Sequence, residues 1–83
     1  MVAMERLTLR DEILEFMTSS PTLEQILAFK PSEALQARAS LLLDKNRAGT
    51  LTAEEQRELD DFEWMDDLVS LLKIRARKKL SAA

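Results

Sequence analysis

Phe62, Met65, Val69, Leu72, Ala76 and Leu80 recur at steps of three or four residues, the interval that stacks side chains along one side of an α-helix. The spacing predicts a single long helix over residues 53–80. Trp64, Leu68 and Leu71 fall roughly 100° round the same wheel and widen the apolar arc to about half the circumference, more than one packing neighbour covers. Thr52 followed by Glu55 forms a capping box at its start, the hydroxyl accepting from one amide while the carboxylate accepts from the other. At about 1.5 Å per residue such a helix runs about 42 Å, longer than a domain of this size is wide. Part of it is expected to project or to meet a partner.

Upstream the same interval appears in shorter pieces. Leu9, Ile13, Phe16 and Met17 follow Thr8, an N-cap, with Asp11 and Glu12 near the positive end of the helix dipole. Thr18, Ser19, Ser20 and Pro21 then end that helix, because turn-forming residues precede one that cannot donate a backbone hydrogen bond. Thr22 and Gln25 make a second capping box ahead of a short helix over residues 23–29. Pro31 keeps Lys30 out of α geometry, and Ser32 caps a third helix over residues 33–48. In it Leu35, Ala39, Leu42 and Leu43 share one face, while Ala34, Ala37 and Leu41 populate another. Gly49 suits the left-handed residue that closes this helix.

The connection to the long helix is brief, which predicts an antiparallel hairpin over residues 33–80. Its first arm is much shorter than its second, so the half of the long helix from Leu72 to Leu80 is expected to be under-covered. The candidates for covering it are the N-terminal helix, a second copy of the chain, or another protein. The predicted architecture is all-α and a single small domain over residues 1–83. Short N-terminal helices (8–29) pack on the hairpin, and residues 1–7, which carry no start signal, are expected to be frayed.

Composition narrows the picture. One glycine, two prolines and no tyrosine in 83 residues suit helices and leave little material for strands. Fifteen acidic and 12 basic side chains give a net charge of −3, which argues against nucleic-acid binding by bulk electrostatics. With no cysteine and no histidine there is no disulfide framework, no thiolate, and neither the commonest general base nor the commonest metal ligand. No enzyme activity, cofactor, metal or small-molecule substrate is therefore expected. No apolar run reaches the length of a membrane span, and the first residues lack a secretory pattern. A soluble, cytoplasmic protein is the expectation.

Charge is sorted along the long helix: eight carboxylates from Glu54 to Asp67 precede Lys73, Arg75, Arg77, Lys78 and Lys79. The helix dipole accounts for such an order, at about 0.3–1 kcal/mol per charge. Separate docking surfaces for a basic protein and for nucleic acid account for it too. The five basic residues scatter over several directions of the wheel, without interleaved aromatics or a helix-turn-helix spacing. Asp60, Asp61, Asp66 and Asp67 lack the histidines that helical carboxylate metal sites add, and a solvated face accounts for them. Trp64 has two readings, core beneath the short helices or centre of an interface, with Leu68 and Leu71 sharing its fate.

The stretch Pro21-Thr-Leu-Glu-Gln-Ile-Leu-Ala-Phe-Lys-Pro-Ser32, followed by Leu42-Leu-Asp-Lys-Asn-Arg-Ala-Gly-Thr-Leu-Thr-Ala-Glu-Glu-Gln-Arg-Glu-Leu-Asp60, resembles an uncharacterised family of short helical bacterial proteins, mainly cyanobacterial. Its members are similar to antitoxin-like or accessory proteins, sometimes encoded beside an HNH-type nuclease. The resemblance covers about residues 20–80 and implies a partner protein instead of an activity. Its motifs mark caps and corners and carry no active site. The expected function is a non-catalytic protein-interaction module that uses Trp64, Leu68, Leu71, Leu72 and Leu80 against a partner or a second copy. The alternative is a transcriptional regulator that contacts nucleic acid through Lys73, Arg75, Arg77, Lys78 and Lys79.

Overall fold

Four helices, α1 (Leu9–Met17), α2 (Leu23–Leu27), α3 (Glu33–Ala48) and α4 (Ala53–Ala82), form the computed structural model, which describes residues 8–82. No strand occurs among the described residues, and the chain is all-α. The fraying expected of residues 1–7 lies outside the described residues.

Each helix starts on a local hydrogen-bond device. The Thr8 hydroxyl accepts from the Asp11 amide and the Asp11 carboxylate from the Thr8 amide, both at 3.1 Å. The same reciprocal pair forms between Thr22 and Gln25 at 3.1 and 2.8 Å and between Thr52 and Glu55 at 3.1 and 3.0 Å. Ser32 accepts from the Leu35 amide at 3.2 Å. These bonds satisfy amides that the first turn of a helix leaves without partners.

The ends are equally local. α3 stops at Gly49, whose φ of +73° lets the Gly49 amide donate to Asn46 and the Thr50 amide to Lys45, at 3.1 and 2.9 Å. α1 stops where Thr18 and Ser19 turn their hydroxyls back onto the Leu14 and Phe16 carbonyls. Ser20 then takes a φ of +58° ahead of Pro21, a left-handed conformation that costs a residue with a Cβ about 1–2 kcal/mol. α2 is shorter than the apolar spacing predicts, because Ala28 already caps it and Phe29 lies beyond. α4 is longer and runs on to Ala82.

The core gathers on α4. Leu9 and Ile13 from α1, Leu35 from α3, and Met65 and Val69 from α4 form one buried cluster, with Phe29, Phe62 and Leu68 packed against it. Ala39, Leu42 and Leu59 are buried as well. α1, α2 and α3 each pack on α4. The hairpin of α3 and α4 is antiparallel: Lys45 reaches Glu55 and Arg38 reaches Glu58 near the connection, while Leu35 at the far end meets Met65 and Val69.

Beyond Val69 the chain corrects an expectation. α2 also packs on α4, and the inner side of the second half of α4 is covered. Ala76 is only 2 % exposed and Leu72 and Leu80 are half-buried. The corner leading into α3 is tied to α1 by Glu12, which accepts from the Ser32 amide at 2.8 Å and from its hydroxyl. The Phe16 and Phe29 rings, 4.8 Å apart between centroids, add an aromatic contact beside it. The result is a slab of 48 × 36 × 17 Å. Its radius of gyration of 15.0 Å exceeds the about 12 Å of a compact domain of this length, and the length of α4 accounts for the excess.

Candidate interaction surface

α4 shows two sides of different character. Met65, Val69 and Ala76 face the other helices, whereas Trp64 is 67 % exposed, Leu71 62 % and Ile74 51 %. Trp64 and Leu71 stand two turns apart on one face, because seven residues nearly complete a whole number of turns, and Ile74 borders them one turn on. Burial of an apolar side chain of this size is worth about 1.5–3 kcal/mol. Three such groups in the solvent on the outer side of one helix form an apolar strip that the described residues leave uncovered.

The predicted interface residues therefore separate. Trp64 and Leu71 are outward, while Leu68 is half-buried against the core cluster, so the three do not share one environment. Leu72 and Leu80 are half-buried on the inner side. Ile74 joins the outward group although the stripe at steps of three and four did not include it. The signal for it is its place three residues after Leu71, on the side the stripe leaves empty.

Charge divides α4 along its length. In the first half, the Arg38 guanidinium holds Glu58 through two bonds of 2.7 and 2.9 Å, the Lys45 ammonium holds Glu55 at 2.5 Å, and Arg10 pairs with Asp61. The Lys45 bond, helped by the Thr52 amide, pulls the Glu55 carboxyl down to about 2. The bond to Glu58 raises the Arg38 guanidinium above its ordinary value. In the second half, Lys73, Arg75, Arg77, Lys78 and Lys79 form no ion pair among the described residues. Lys73 and Arg77 stand one turn apart on one side, with Arg75 and Lys78 on another, so the five do not converge on a point. Glu63, Asp66 and Asp67 also lack an ion pair among the described residues.

A cleft of about 430 Å³ lies between α1, α3 and the first turns of α4, lined by Leu9, Leu35, Leu42 and Phe62 with Arg38 and Arg57. Its one hydroxyl, on Thr8, is engaged in capping α1. Among the described residues no three carboxylates approach closely enough to share a metal ion. No described helix is long and apolar enough to cross a membrane.

The architecture defines a small all-helical chain with three short helices laid on a long fourth. No family model matches it, and neither a curated protein nor a solved structure gives a match.

Proposed function

We propose that this chain is a non-catalytic protein-interaction module, antitoxin-like or accessory, that acts in the cytoplasm and docks a partner protein or a second copy on α4. The observation that carries the reading is the outward strip of Trp64, Leu71 and Ile74. Tryptophan concentrates binding energy at the centres of interfaces, and this one lies on the side of α4 away from the core. The resemblance of residues 20–80 to short bacterial proteins sometimes encoded beside an HNH-type nuclease implies such a partner. Light scattering tests the reading by measuring mass alone and with the neighbouring gene product. A complex or self-association that Trp64→Ala removes supports it, and a monomer that binds nothing ends it.

A second reading has its own observation, the five cations of the second half without a carboxylate partner among the described residues. On that reading the chain is a regulator that grips phosphates with Arg75, Arg77, Lys78 and Lys79. Its binding to DNA then weakens steeply with salt. A mobility shift at low salt, lost when the four become alanine, supports it. The net charge of −3 weighs against it.

A further inference from the structure

Asp60, Trp64, Asp67, Leu71, Ile74 and Lys78 follow one another at alternating steps of four and three, and all six are exposed. This is the spacing of a coiled-coil seam, where every second step returns to the same line after seven residues. The seam lies on the outer side of α4, away from Met65, Val69 and Ala76, so a second helix can lie along it without disturbing the core.

We infer that the occupant of this seam is α4 of a second copy, running antiparallel, with the two-fold axis at the height of Val69. The inference rests on the interaction reading above and names its partner. An antiparallel seam alternates the two kinds of position across the axis. That register sets Trp64 against Ile74 of the second copy, and Asp67 against its Leu71. It also sets Asp60 against Lys78 and, on the flank, Glu63 against Arg77. Each of these charges, apart from the hydrogen bond Asp60 accepts from Gln56, is without an ion pair among the described residues.

The order of charge along α4 thus selects the direction. Parallel pairing stacks Asp60 on Asp60, Asp67 on Asp67 and Lys78 on Lys78, and like charges set opposite one another oppose association. Antiparallel pairing brings the acidic half of each helix to the basic half of the other. Asp67 is the one polar residue left against an apolar neighbour, the kind of position that fixes a register while weakening the assembly.

Sedimentation velocity over a range of concentrations, at low and at high salt, tests this on the full chain. A dimer that loosens with salt is expected. Asp60→Lys weakens it by about tenfold or more, a change of about 1.4 kcal/mol per decade, and so does Lys78→Glu. The double variant Asp60→Lys, Lys78→Glu restores the affinity, which a folding defect does not do. Asp67→Leu tightens it. A spin label on Ser81→Cys, the sole cysteine in that variant, reads the direction: about 36 Å between labels for antiparallel helices, about 10 Å for parallel ones. A monomer at every concentration, a short label distance, or no rescue by the double variant overturns the inference. A monomer that still binds the neighbouring gene product through Trp64 removes the second copy and leaves the interaction module standing, whereas a monomer that binds nothing removes both.

Discussion

The first half of α4 carries ion pairs to the helices packed beside it, and the second carries none among the described residues. Glu55, Glu58 and Asp61 meet Lys45, Arg38 and Arg10 on the helices packed beside it, and Leu59 is buried. From Lys73 to Lys79 the helix has apolar cover on one side, at Ala76, and five cations without carboxylate partners among the described residues. One helix thus serves first as scaffold and then as surface. The difference teaches that hydrophobic cover and charge pairing need not end at the same residue.

The largest effect that breaks this comparison comes from the scaffold half. Leu42→Ala, at a side chain 1 % exposed, loses about 2–5 kcal/mol of unfolding free energy in urea titration. In the second half Ala76→Leu tests how closely the buried side is packed, and overpacking there costs about 1–3 kcal/mol in the same measurement. An unchanged midpoint would mean the inner side is open. Arg38→Ala removes a half-exposed pair and costs less, about 0.5–1 kcal/mol, with the loss shrinking as salt rises.

Acid probes the same half through Glu55. Its carboxyl is lower in the folded chain, about 2 against an ordinary 4.5, so the unfolded chain takes up the proton first as pH falls. The contribution is therefore complete above about pH 4.5 and disappears between there and about pH 2. Lys45→Gln should flatten that part of a stability-versus-pH curve. The smallest effect belongs to the surface half: Arg75→Ala and Lys79→Ala leave the thermal stability of the monomer within about 0.5 kcal/mol, while any binding they support falls.

What could be read in advance was whatever the chain decides over four residues. Thr22 with Gln25, Thr52 with Glu55, and Gly49 are each recognisable without knowing the rest of the molecule, because donor and acceptor sit on adjacent turns. The buried stripe through Met65, Val69 and Ala76 is legible for the same reason. Leu59 is buried too and stands three residues before Phe62, yet the predicted stripe began only at Phe62. The place of α2 on α4, the bond from Ser32 to Glu12, and the separation of Leu68 from Trp64 were not legible. Each depends on segments distant in sequence, and a helical wheel gives the angle of a side chain but not the neighbour that occupies it. For the candidate surface, Trp64 and Leu71 were visible as residues, yet only the packing of the other helices separated them from Leu68.

The position of α4 as the last of the four helices has a consequence for biosynthesis. α1, α2 and α3 all rest on it, so while the ribosome is still making their sequence the template that organises them does not exist. The emerging chain holds three capped but unsupported segments, of which α1 and α2, at 9 and 5 residues, are too short to persist alone in water. Their packing therefore waits until α4 has left the exit tunnel.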